Sequence, residues 1–157
     1  MLGRTYDREN CSAARTLELV GERWSLLIIR NAQFASMTRF SDFQRRLGIA
    51  PNILTSRLND FVANGIMAVD QQTYRLTDKG RELAEIVVAL TGWGDRWAAP
   101  EGPPIVYAHT GCGGTVTMRA HCGRCNNEPP MVDVVATPGP GANAVQRERL
   151  DPGQGKI

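Results

Sequence analysis

A mainly α fold with a small β wing, followed by a short β-rich, Cys-containing segment, is what this sequence predicts, and three observations predict it. Apolar residues recur at helical spacing from Cys11 to about residue 98. Two short β-prone runs with a polar tip between them interrupt that pattern at residues 66–76. Beyond Pro100 the composition turns from Leu-rich to Gly, Pro and Cys.

The 157 residues carry 18 Lys plus Arg against 16 Asp plus Glu, a net charge of +2, and 42% are hydrophobic. That balance suits one core with a small appendage. Sixteen of the eighteen cations are Arg, but bulk charge is too mild to argue for nucleic acid alone, so local pattern must carry any such reading. No run reaches the roughly 18 apolar residues of a membrane span, and MLGRTYDREN lacks the apolar stretch of a secretory signal. A cytoplasmic location and no membrane partner are expected. In a reducing compartment the four cysteines read as thiols or metal ligands rather than a disulfide framework. Four regions follow: an arm at 1–10, a helical domain at 11–98, a compact Cys-containing β segment at 103–137 and a flexible tail at 138–157.

Ser12 reads as the N-cap of a first helix presenting Ala13, Leu17 and Val20 and ended by Gly21. A second helix follows from Glu22; Trp24, Leu26, Leu27, Ile28 and Ile29 make it apolar on nearly every side, as only a central, buried helix can be. A short third helix, Ser41 to Leu47, turns Phe40, Phe43 and Leu47 inward, and Gly48 supplies the turn after it. Pro51 suits the first turn of a fourth helix that runs to Asn64 and is closed by Gly65. Ile66–Val69 and Thr73–Leu76 form a hairpin around Asp70, Gln71 and Gln72. Thr77 then caps a long fifth helix whose Leu83, Ile86, Val87, Leu90, Trp93 and Trp97 lie near one stripe. Two tryptophans at its far end exceed what one small domain covers, so Leu83, Ile86, Leu90, Trp93 and Trp97 are expected to join two copies as a homodimer.

Helix, Gly-containing turn, helix and hairpin is the order of a winged helix-turn-helix, whose second helix enters a DNA major groove. On a wheel of about 100° per residue, Leu58, Phe61 and Val62 fall beside Leu54, while Asn52, Ser56 and Asn59 fall opposite. Amides and hydroxyls of this kind reach base edges, and Asn pairs bidentately with adenine. Pro51, Thr55 and Arg57 flank the stripe; Arg39, Arg45, Arg46, Tyr74 and Arg75 stand where phosphate contacts would. The bland alternative is a solvated face in which Arg57 merely pairs with Asp60.

CSAARTLELVGERWSLLIIRNA, TRFSDFQRRLGIAPNILTSRLNDFVANGIM, YRLTDKGREL and WGDRW together resemble the HxlR-type winged helix-turn-helix transcriptional regulators, from Cys11 to about Trp97. The resemblance implies a homodimer joined through terminal helices, a two-fold related operator, repression or activation, and a base-reading helix at Ala50 to Asn64. It also places Cys11 where some members hold a redox-sensing thiol, so an oxidant, electrophile or other small-molecule signal is implied. A thiol at a helix N-terminus is made more nucleophilic; the alternative is a small buried residue beside Trp24. Where such regulators have a longer wing loop with Pro and basic residues, only DQQT stands here, which puts minor-groove contact by the wing tip in doubt.

HTGC at 109–112 and CGRC at 122–125 give two ligand pairs nine residues apart. His109, Cys112, Cys122 and Cys125 suit one tetrahedral zinc, structural because no position is left for water. His121 is a rival nitrogen, hampered by adjacency to Cys122. Two other readings stand: a CGRC redox pair, weakened because NNEPP and not a helix follows it, and a metal-free β appendage. No phosphate loop, nucleophile elbow or HExxH is present, so no enzyme is expected. The alternative to a DNA-binding regulator is a zinc-ribbon protein-interaction module with a dimerising helical domain.

Overall fold

The computed structural model describes residues 5–150. Residues 1–4 of the expected arm and 151–157 of the expected tail lie outside the described residues.

Helix α1 (Ser12–Val20) begins one residue earlier than expected: Cys11, not Ser12, is the N-cap, extended at φ −144°, and Ser12 is already helical. Ala14 and Val20 are buried; Leu17 stays half exposed, lining a surface groove with Tyr6, Glu22 and Arg57. Residues 22–24 turn rather than coil, with the Ser25 N–H donating to the Glu22 carbonyl at 3.0 Å, so α2 (Ser25–Phe34) starts three residues later than expected. It is the central helix, with Ile28 and Ile29 fully buried. Each such side chain contributes about 1.5–3 kcal/mol by leaving water.

Helix α3 (Phe40–Leu47) ends at Gly48, whose φ of +63° is the left-handed cap that a side chain would strain. After buried Ile49, α4 (Pro51–Ala63) starts on Pro51, whose missing N–H costs nothing in a first turn. The wing pairs β1 (Met67–Asp70) with β2 (Thr73–Leu76), Met67 opposite Leu76 and Asp70 opposite Thr73. Its first strand begins one residue later than predicted. Gln71 and Gln72, at φ +44° and +67°, make a two-residue turn of the twist that suits a hairpin. Arg39 bridges to Thr73, and the Tyr74 N–H donates to the Thr38 carbonyl at 2.7 Å. This third, single-bridge edge escapes the sequence because it is too short to show periodicity.

Helix α5 (Asp78–Trp97) is capped by the Thr77 hydroxyl, which accepts the Gly80 N–H. One core unites the elements: Val20, Ile28, Ile29, Phe43, Ile49, Leu54, Leu58, Phe61, Ile66, Met67, Leu76 and Val87. The fold is thus mainly helical with a two-stranded wing.

The C-terminal part departs most from expectation. Segment 103–137 contains no β-strand, only an Ala108–Thr115 bridge and a 3-10 turn at Met131–Asp133. Its apolar residues explain this: Val116, Met118, Val132 and Val135 are exposed, so no buried face rewards a sheet. Tyr107 anchors the segment, its ring 4.3 Å from that of Phe34 and its hydroxyl 3.4 Å from that of Thr91. The tail, expected to lack structure, forms α6 (Ala144–Arg149) under an Asn143–Gln146 capping box. Gln146 and Asn10 exchange hydrogen bonds, 2.6 Å each way, which ties the tail to the N-terminal arm.

Candidate nucleic-acid interface

Leu54, Leu58 and Phe61 anchor one face of α4 in the core with almost no exposure, which fixes what the other face presents. Asn52, Thr55 and Asn59 are exposed and Ser56 is half-buried, with Pro51 exposed at the helix start. The outward stripe read from the wheel is therefore present on the second helix of a helix-turn-helix. Ile53, exposed at 41%, lies beside it and was not singled out by sequence; its apolar side chain suits a thymine methyl.

Arg57 is a correction. It is only 8% exposed, its guanidinium lies 3.2 Å from an Asp60 oxygen and 4.0 Å from one of Glu22, and it donates to the Ser56 hydroxyl at 3.3 Å. An arginine so packed and paired is withdrawn from the outward stripe.

Of the flanking cations, Arg45 pairs with Asp42 at 2.9 Å while itself well exposed. Arg39, Arg46 and Arg75 are exposed and form no ion pair among the described residues. The Arg39–Thr73 bridge does more than lengthen the wing. Paired residues and alternate residues of a strand share a face, so Arg39, Thr73 and Arg75 project from one side of the wing, with Asp70 among them. Tyr74 is on the other side, partly buried against the core, so of Tyr74 and Arg75 only Arg75 is presented outward.

Beyond the interface, Cys11 is an exposed free thiol at the start of α1, not a residue buried beside Trp24. In the HTGC turn, His109 Nδ1 lies 3.2 Å from Cys112 Sγ. In the CGRC turn, the backbone N–H groups of Cys125 and then Arg124, with the Cys125 thiol, hydrogen-bond to Cys122 and hold its thiol below the ordinary range, against a smaller upward push from burial. Among the described residues no three His, Cys, Asp or Glu side chains gather as a metal site would require, so the four expected ligands form two separate pairs. None of the helices of the described residues is long and apolar enough to cross a membrane.

The helix-turn-helix, its outward polar stripe and the paired wing define a winged helix-turn-helix protein. Residues 19–102 match the family described as HxlR-like helix-turn-helix. The chain is 42% identical over 144 residues to Rv3095 of Mycobacterium tuberculosis, an uncharacterized HTH-type transcriptional regulator, covering 87% of this chain and 90% of that protein. A span of that length runs through segment 103–137, so the likeness is not confined to the winged domain. Two solved structures described as candidate transcription factors are also similar. PA1607 has a TM-score of 0.74 at 34% identity, covering 84% of this chain and 97% of that one. PA1374 from Pseudomonas aeruginosa has 0.61 at 34%, covering 89% and 100%. The chain belongs to the HxlR-like helix-turn-helix family of transcriptional regulators and is not an enzyme.

Proposed function

We propose that this regulator acts as a homodimer that reads a two-fold related operator through α4 and contacts phosphates through Arg39, Arg45, Arg46 and Arg75. The observation that supports base reading is the stripe of Asn52, Thr55, Ser56 and Asn59, turned away from a core that pins Leu54 and Leu58. Small amides and hydroxyls on a rigid helix can discriminate bases, whereas flanking arginines add affinity without sequence preference. What supports the dimer is the far half of α5, where Leu90, Trp93 and Trp97 are 53%, 63% and 69% exposed in the single chain. Two copies related by a two-fold axis would present two α4 helices to half-sites about one helical turn apart.

The test is duplex binding to DNA flanking the gene, compared with random duplex at several salt concentrations. Binding to the cognate site should fall steeply with salt as released counterions lose their entropic advantage. Asn52→Ala should cost about 1–3 kcal/mol on the cognate site and far less on random DNA, while Arg39→Ala should weaken both alike. Equal losses for Asn52→Ala on both duplexes would count against base reading. Binding that ignores salt would favour the protein-interaction alternative.

A further inference from the structure

We propose that segment 103–137 holds one structural zinc ion per chain, with His109 and Cys112 supplied by the HTGC turn and Cys122 and Cys125 by the CGRC turn. Each turn is already built as a half-site. The first sits at the tip of a short antiparallel pair: the Val116 N–H donates to the Tyr107 carbonyl and the His109 N–H to that of Gly114, both at 2.8 Å. The Gly113 N–H closes the tip on the His109 carbonyl at 2.7 Å. This places His109 Nδ1 and Cys112 Sγ side by side at 3.2 Å. The second turn is closed by the Cys122 N–H on the Asn127 carbonyl and the Asn126 N–H on the Cys122 carbonyl, both at 2.9 Å.

One imidazole and three thiolates are a donor set for tetrahedral zinc, with no position left for a reactive water. Among the described residues the two halves stand apart as separate pairs, so holding one ion requires the second turn to close on the first. The hydrogen-bonded pair at 107–116 fixes only the first turn, and residues 117–121 that lead to the second form no strand. The Arg119–Glu128 ion pair, 3.5 Å, already draws together the arms on either side of the second turn. The segment also has a reason to need such a cross-link. Apart from Tyr107 it buries little, and a piece below roughly 40 residues seldom holds a fold without metal, disulfide or partner. Zinc would displace the thiol protons it meets, so uptake should release protons and weaken as pH falls. His121 is exposed and lies outside both turns.

The experiment uses the full chain purified under reducing conditions, with metal analysis, zinc titration and cobalt(II) substitution. Expected are one zinc per chain, the visible bands of tetrahedral thiolate cobalt, and protection of residues 103–137 from protease that a strong chelator removes. Cys112→Ser, Cys122→Ser and His109→Ala should each lower zinc affinity at least about tenfold, while His121→Ala retains it. Helical circular dichroism of the winged domain, unchanged in every variant, shows that a loss of metal is not a loss of fold. Less than about a tenth of an equivalent, with no uptake on addition, would overturn the proposal. So would a Cys122–Cys125 disulfide that forms reversibly in protein unable to bind zinc. Half an equivalent shared between two chains, or loss of metal in His121→Ala but not in His109→Ala, would overturn the ligand set.

Discussion

Arg57 sits between Ser56 and Leu58 of α4, at the edge of the face that meets the core. Its guanidinium reaches Asp60 in the same helix and Glu22 in the turn before α2. Because its own side chain is 10% exposed while those carboxylates are 56% (Glu22) and 40% (Asp60) exposed, solvent screens the pair and the buried stem contributes as much as the charge. Arg57→Ala should therefore lower the stability of the winged domain by roughly 1–2 kcal/mol, read as a fall in the urea midpoint, and leave the ranking of DNA sites unchanged. Full stability with altered site preference would return Arg57 to the base-reading set. The polar stripe was legible because about 100° per residue separates Asn52 and Ser56 from Leu54 unambiguously. The same rotation puts Arg57 about 60° from Leu54, nearer than Val62 and so on the core side; its charge argues for the surface, and the partner that holds it inward, Glu22, lies 35 residues away in sequence.

At the scale of elements, the junction of wing and α5 depends on one small residue. Thr77 donates from its hydroxyl to the Gly65 carbonyl at 2.6 Å and from its N–H to that of Ile66 at 3.1 Å. Lys79 reaches the Asn64 carbonyl at 2.8 Å. These bonds draw the first turn of α5 so close that a Cβ on Gly80 would collide with the Ile66 carbonyl oxygen. Gly80→Ala gains about 1 kcal/mol of helix propensity, yet backbone displacement should outweigh it and leave a net loss of roughly 1–3 kcal/mol. A thermal melt checks the sign, and a higher midpoint would show that the junction can give. The elements that sequence located well, α2 to α5 and the hairpin, are those whose apolar spacing is answered by a shared core. The turn to Gly, Pro and Cys beyond Pro100 predicts a compact β segment at 103–137, but strand propensity is realised only on a face that is covered. Helix α6 was missed for the opposite reason: a six-residue helix shows no stripe, and its hold on Asn10 crosses more than 130 residues.

For the whole molecule, the fifth helix decides what the chain must still cover. Its predicted single stripe is two faces. Val87 and Val88 are 4% and 9% exposed and face the core, as does Gly80. Ile86, Leu90, Trp93 and Trp97 fall within about 60° of one another and roughly 130° away from that face, each more than two-fifths exposed; Leu83 packs against the core between them. Beside this second face lies a groove of about 630 Å³ lined by Trp93, Arg96, Trp97, Ile105, Tyr107 and Met118 among others. Aromatic side chains bury about 150–250 Å² each, so two tryptophans and two aliphatics from each copy, repeated by symmetry, would form the centre of a dimer interface of ordinary size. Replacing Trp93 and Trp97 together with Glu sets like charges against their symmetry mates while touching nothing in the core. Light scattering should then show monomers at micromolar concentration, with the circular dichroism of the parent. Affinity for a two-half-site operator should fall by about 10²–10⁴, the loss expected when linked sites no longer share an effective concentration, whereas an isolated half-site should bind parent and variant much more nearly alike. A folded double variant that stays dimeric would move the subunit contact away from this face of α5.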